Sequence, residues 1–94
     1  MKSIIQSEKK CFICETTMAL EEHHCIYGSA NRKQSEKYGL KVWLCNYHHT
    51  GSKASVHFNK ELDMHLKKLA QRKFEKVHGT RRDFMNAFGR NYLD

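Results

Sequence analysis

Two pairs of closely spaced residues, each able to hold a metal ion, stand near the start and in the middle of the sequence. Cys11 and Cys14 form a CxxC pair, and Cys45 and His48 form a CxxH pair. Thiolate and imidazole groups are ligands that tetrahedral Zn²⁺ accepts, and the short spacing lets one turn present two of them to the same ion. The four residues predict a structural Zn²⁺ site that joins the beginning of the fold to its middle and supplies much of the folding free energy.

Cys25, the remaining cysteine, lies outside both pairs in a strand-like stretch. We expect it to be a small buried apolar residue, although its thiol could compete for zinc. The alternative interpretation of the two pairs is four unrelated residues with free buried thiols. Two matched pairs rather than one favour the zinc site.

A second concentration of chemistry is formed by five of the seven histidines: His23, His24, His48, His49 and His57. Hydrolysis of a phosphodiester needs a base for water, a cation for the charged phosphate and neutralisation of the leaving oxygen. A neutral imidazole can be the base at neutral pH, and two or three others can hold a divalent metal ion. We assign the outlying His65 and His78 to surface or supporting positions.

The composition indicates one small domain with an anionic partner. The chain has 94 residues, of which 39% are hydrophobic, and a formal net charge of +7. That charge favours a nucleic acid as partner, with an ordinary solvated basic surface as the alternative. No apolar run approaches the length of a membrane span and residues 1–10 are polar, so we expect no signal peptide, no membrane contact and a cytoplasmic location.

A β-hairpin followed by helices must position these residues. Residues 21–27 and 40–45 are predicted as strands, and the polar, Gly- and Ser-containing residues 28–37 as the loop between them. Because this loop directly follows the first strand, its basic residues are predicted to contact nucleic-acid phosphates: Arg32, Lys33 and Lys37.

Two helices are predicted in the C-terminal part. Asn59 is the expected N-cap of a helix at about 59–78, ending before Gly79, with an apolar stripe formed by Leu62, Leu66, Leu69, Phe74 and Val77. Thr80 and Asp83 have the spacing of a capping box and begin a second helix that ends at Gly89. Its apolar side is expected to consist of Phe84, Met85 and Phe88.

Three strings, EEHHCIYGSANRK, GLKVWLCNYHHTG and VHFNKEL, resemble the HNH (His-Me finger) endonucleases with a treble-clef zinc site. They are especially similar to the small HNH-like proteins of phages and prophages, among them the recombination-enhancement nuclease group, and so is the tail GRNYLD. The resemblance implies an α+β fold: a zinc-stabilised treble-clef or ββα-metal core, made of a short hairpin and a helix, with C-terminal helices. We expect a single domain over 1–94, with a flexible arm at 1–10, the core at 11–60 and a helical extension at 61–94.

Carried over to this chain, the resemblance implies that His24 is the general base. It makes His23 and His49 ligands of a catalytic Mg²⁺, Mn²⁺ or Zn²⁺ ion, with His57 as a further ligand. It also implies a phage-encoded enzyme that cuts DNA with low sequence specificity in the bacterial host cytoplasm, with a recombination or replication protein as a further partner. Adjacent strand residues point to opposite faces, so His23 and His24 can share a site only if the strand bends or bulges.

The chain departs from the family pattern in two places. Gly39 and Leu40 occupy the region of the usual middle asparagine, which leaves Asn31 or Asn46 to hold the loop that orients the base. The second zinc pair also ends in His rather than Cys. The alternative function is a non-catalytic treble-clef zinc module that binds DNA or a recombination or replication protein.

Overall fold

The computed structural model describes residues 1–93. Within them the order of elements is β1 (Leu20–His24), α1 (Ser29–Tyr38), β2 (Lys41–Cys45), α2 (Asn46–His49), α3 (Lys60–Val77) and α4 (Arg81–Phe88). The two strands pair antiparallel, from Leu20 opposite Cys45 to His24 opposite Lys41, without a break in register. The predicted α+β class, a hairpin followed by C-terminal helices, is confirmed.

The loop predicted between the strands is wrong, because residues 29–38 form helix α1. Ser35 is the buried residue of this helix, so the helix lacks the apolar stripe by which a buried face is recognised in a sequence. The Oγ of Ser35 donates a hydrogen bond of 2.6 Å to the carbonyl of Ile26 and so connects the helix to the chain that follows β1. The helix ends at Gly39, whose φ of 72° is left-handed, and a Cβ there would collide with the carbonyl oxygen of Lys2.

Helices α3 and α4 begin and end where their capping residues predict. The side chain of Asn59 accepts the Leu62 N–H at 3.1 Å. Thr80 and Asp83 form a complete capping box, and Gly89 ends α4 in the left-handed conformation. The predicted apolar faces are too wide, however, because Val77 and Met85 are exposed to solvent.

The core lies between the hairpin and helices α3 and α4. It is built from buried residues of every part of the chain, including Ile26, Leu40, Val42, Leu44, Leu66, Phe74, Phe84 and Phe88. Phe74 and Phe84 pack edge to face with ring centroids 5.4 Å apart, an arrangement that aromatic pairs prefer. The core therefore holds α3 and α4 together and fixes both against the hairpin.

The N-terminal residues 1–10 make specific contacts along β2. The Ile4 N–H donates to the Gly39 carbonyl at 2.9 Å, and the Trp43 N–H donates to the Gln6 side chain at 2.8 Å. These bonds lead the chain towards Cys11 at the start of the cysteine pair. Across residues 1–93, no helix is both long and apolar enough to cross a membrane.

Candidate metal centres

The four residues predicted to bind zinc come together in the fold. The ligand atoms of Cys11, Cys14, Cys45 and His48 all lie within 4.8 Å of one another. The Cys14 and Cys45 sulfurs are 3.8 Å apart, and the His48 Nδ1 lies 3.3 Å from the Cys45 sulfur and 3.8 Å from that of Cys11. A tetrahedral Zn²⁺, with Zn–S about 2.3 Å and Zn–N about 2.0 Å, holds two sulfurs about 3.8 Å apart and a sulfur and a nitrogen about 3.5 Å apart. This Cys₃His cluster can hold a metal ion, and its spacing fits zinc.

Local backbone structure prepares the cluster for thiolate ligands. The Cys11 N–H donates to the Thr16 carbonyl and its carbonyl accepts from the Glu15 N–H, which closes the turn that carries Cys14. Burial raises the pKa of the Cys11 thiol, but backbone N–H groups of Cys14 and Cys45 outweigh it and lower the pKa to about 6. A thiol that ionises this easily is suited to bind a cation.

Cys25 does not join the cluster. It is fully buried, and this burial raises the pKa of its thiol to about 12. It belongs to none of the groups of potential metal ligands found among residues 1–93. The structure therefore places Cys25 in the apolar core, apart from the four residues that could hold a metal ion.

A second group of potential ligands consists of His23, His49 and His57, whose ring nitrogens lie within 4.8 Å of one another. They come from β1, from α2 and from the segment before α3, and their ring centroids are 5.0 to 5.5 Å apart. His23 is 2% exposed, and its Nε2 has no hydrogen-bond partner among residues 1–93. A buried polar atom without a partner is costly, and a metal ion shared with the other two rings would satisfy it.

The electrostatics of this histidine group favour a neutral ring at His23. Burial, followed by the charges of His49 and His57, lowers the pKa of His23 to about 3. The Nδ1 of His49 donates a 2.7 Å hydrogen bond to Glu21, which leaves its Nε2 free. A carboxylate that holds one nitrogen of a histidine in this way orients the other towards a metal ion.

His24 lies on the opposite face of β1, against α1. Its Nε2 donates to Glu36 at 2.9 Å, and Lys41 donates to the other oxygen of the same carboxylate at 2.8 Å. The Lys41 ammonium, and then the His24 bond, hold the pKa of Glu36 at about 2, so the carboxylate is ionised. Glu22 reaches the same ammonium at 3.4 Å.

His23 and His24 line the same cleft, although β1 has no bulge of the kind that we expected to be necessary. Strand β1 pairs regularly up to His24, its last residue, and an open cleft of about 230 Å³ at this end is lined by both rings. The other lining residues are Glu22, Tyr27, Arg32, His49 and His57. The cleft thus combines three potential metal ligands, a fourth imidazole and a guanidinium.

The three basic residues predicted to contact phosphate differ in their position. Arg32 lines the histidine cleft, and Lys33 lines an adjoining one of about 640 Å³ with His24 and Glu36. Lys37 lines neither, and its ammonium lies 5.3 Å from the Tyr38 ring centre. All three are carried by helix α1, not by a loop.

Neither candidate for the middle asparagine lines the histidine cleft. Asn31 lies on α1, and Asn46 begins α2, where its carbonyl accepts the N–H groups of Thr50 and Gly51. The two histidines assigned to supporting positions are also away from it: His65 is exposed on α3, and His78 bonds the Tyr38 carbonyl.

Sequence reasoning missed the polar partners of the histidines, namely Glu21, Glu36 and Lys41. A signal for Glu21 was available, because it lies two residues before His23 and therefore on the same strand face. Glu36 could not be found in this way, since its position depends on α1 being a helix.

Comparison with protein-family models, with curated proteins and with solved structures gave no match for this chain.

Proposed function

We propose that the chain is a metal-dependent endonuclease of the HNH class that hydrolyses phosphodiester bonds in DNA. His23, His49 and His57 are the ligands of its catalytic metal ion, and His24 is its general base. The observation that carries the proposal is the cleft itself. It places a three-imidazole group with an unpartnered buried nitrogen beside a fourth imidazole and Arg32.

The donor set narrows the choice of metal. Three neutral imidazoles suit Zn²⁺, whereas Mg²⁺ and Mn²⁺ prefer oxygen ligands. We therefore favour Zn²⁺ over the Mg²⁺ and Mn²⁺ that the family resemblance also allows. When bound, such an ion stabilises the negative charge that develops on the phosphate.

The chain's own residues supply the remaining requirements. With Nε2 of His24 bonded to Glu36, its Nδ1 is the nitrogen that can accept a proton from the attacking water. Arg32 is placed to bind a phosphate oxygen in the same cleft, and the net charge of +7 attracts the polyanion. The finer fold assignment belongs to this proposal. The Cys11–Cys14 turn, the hairpin that ends at Cys45, and His48 on α2 follow one another as in a treble clef.

The proposal is tested by plasmid nicking with added Mn²⁺, Zn²⁺ or Mg²⁺. Replacing His24 with Ala should lower the rate about 10²–10⁴-fold at every metal concentration, since general-base catalysis contributes about that factor. His23→Ala and His49→Ala weaken metal binding instead, so excess metal should partly restore their activity. His65→Ala, on the exposed face of α3, is the matched control and should be as active as the wild type.

A wild-type protein that is inert with every divalent ion would overturn the nuclease assignment. One observation favours a second candidate, a non-catalytic zinc module that binds DNA or a recombination or replication protein: no asparagine lines the cleft. In that case duplex DNA would bind with a steep dependence on salt and remain uncut, because released counterions dominate such binding.

A further inference from the structure

We propose that Glu36 is the positioning residue of the general base, because its carboxylate fixes both the ring orientation and the tautomer of His24. This inference rests on the proposed nuclease function. It gives to a glutamate on α1, which lies 2.9 Å from the His24 Nε2, the task for which the sequence offered only Asn31 or Asn46.

The hydrogen-bond chemistry determines which nitrogen of His24 is protonated. An ionised carboxylate can only accept hydrogen bonds, so the Nε2 of His24, 2.9 Å from a Glu36 oxygen, must carry the proton. In the neutral ring the lone pair then resides on Nδ1. Without the carboxylate, neither tautomer would be imposed by this contact.

Glu36 is itself held in place from a second direction. Its other oxygen accepts a 2.8 Å hydrogen bond from Lys41, which lies directly opposite His24 in the strand pairing. The carboxylate is therefore attached to both strands of the hairpin from α1, and it cannot rotate without losing one of the two bonds. A support of this kind keeps the imidazole within the narrow range of orientations that proton transfer requires.

A cation-binding role for the same residues is disfavoured. The oxygens of Glu22 and Glu36 and the Nε2 of His24 are close enough to hold a metal ion. The Lys41 ammonium, however, already lies 3.4 Å from Glu22 and 2.8 Å from Glu36 and supplies the positive charge. The amino group of Met1 also reaches Glu36 at 3.3 Å.

Glu22 provides the matched control. Its nearest oxygen is 4.0 Å from the His24 Nε2, too far for a hydrogen bond, although it lies on the same strand face and its side chain is exposed to a similar extent as that of Glu36. Glu22→Gln and Glu36→Gln thus remove the same charge from the same surface. A loss in Glu36→Ala that both of these variants largely escape therefore reports the hydrogen bond rather than the electrostatics of the cleft.

The experiment uses the full-length zinc-loaded protein and has two readouts. The first is the tautomer of the neutral His24 ring, read from the ring nitrogen shifts in ¹⁵N NMR spectra. We expect the Nε2–H tautomer in the wild type, in Glu22→Gln and in Glu36→Gln, whose amide oxygen can still accept. Glu36→Ala should give a mixture. The Nδ1–H tautomer of His24 in the wild type, or an unchanged tautomer in Glu36→Ala, would overturn the inference.

The second readout is the kinetics of nicking. Glu36→Ala should lower kcat about 10–100-fold, as small misplacements of catalytic groups do, and leave KM within about twofold. Glu36→Gln should recover much of the loss, and Glu22→Gln, which leaves the bond between Glu36 and His24 intact, should lower kcat far less than Glu36→Ala does. Full kcat in Glu36→Ala would also overturn the inference. The two failures are distinguishable: an inert wild type with a Glu36-dependent tautomer refutes the nuclease, whereas an active wild type with a Glu36-independent tautomer refutes only the role of Glu36.

Discussion

At the scale of single residues, His23 combines two properties that seldom occur together. It is 2% exposed, and its Nε2 has no hydrogen-bond partner in the described part of the chain, so it is held neutral in a place where charging it is costly. Burial is the main reason why its pKa falls to about 3. A residue kept in this form is ready to bind a transition metal, because a ligand must present an unprotonated nitrogen.

The same property makes the stability of the metal-free histidine site depend on pH. Between about pH 6.5, where an unfolded histidine titrates, and about pH 3, the unfolded chain binds a proton at His23 that the folded chain does not. The contribution of the neutral His23 to the free energy of unfolding is therefore complete above pH 6.5. It is lost as the pH falls towards 3, by at most about 1.4 kcal/mol per pH unit. Replacing His23 with Leu should remove this component.

The measurement is urea unfolding of the wild type and His23→Leu at pH 7 and pH 5, without added metal. Between pH 7 and pH 5 the unfolding free energy of the wild type should fall relative to that of His23→Leu. Protonation of the cysteine ligands affects both proteins equally and cancels in this difference. Parallel pH profiles would show that His23 is not buried as a neutral group.

At the scale of elements, α4 is defined by its capping box. The Thr80 hydroxyl accepts the Asp83 N–H at 3.1 Å, and the Asp83 carboxylate accepts the Thr80 N–H at 2.8 Å. Thr80→Ala should lower the unfolding free energy by about 1 kcal/mol, whereas Thr80→Ser keeps the hydroxyl and should cost much less. Urea denaturation of the two variants checks this, and equal stabilities would show that the cap contributes nothing.

The elements also show how far sequence alone could go. Helices α3 and α4 were predictable because Asn59, Thr80 and Gly89 mark their ends and apolar residues recur at helical spacing. Helix α1 was not, because its buried face is made by Ser35 and its packing comes from residues distant in sequence. The error extends to the site: the residues of the cysteine cluster were predicted from their spacing and those of the histidine group from the family resemblance, but Glu36 requires α1 as a helix.

At the scale of the whole molecule, the cysteine cluster joins parts of the chain that are distant in sequence. The two sulfurs of Cys14 and Cys45 meet across 31 residues of chain that contain β1, α1 and β2. A metal ion bound there in the folded state alone adds its binding free energy to the stability of the whole domain. Without such an ion, a domain with 39% hydrophobic residues has a small core and a small free energy of unfolding.

We therefore expect protein purified without added metal to contain one tightly bound zinc, and chelation to abolish most of the far-ultraviolet circular dichroism. Cys14→Ala should lose the zinc and unfold at lower temperature. Cys25→Ala is the matched control: it should keep one zinc per chain, and its smaller loss of stability should reflect only the lost core volume. The same zinc content in Cys14→Ala as in the wild type, or an unchanged spectrum after chelation, would contradict the structural role.

The short helix α2 places His48 in the cysteine cluster and its neighbour His49 in the histidine group. One turn of backbone therefore carries one residue of each group of potential metal ligands. Under the proposed function, a newly made chain that lacks the zinc would have no fixed position for His49, and the catalytic ion would have nowhere to bind. The two metals would then bind in a fixed order, and the proposed nuclease would stay inactive until its folding is complete.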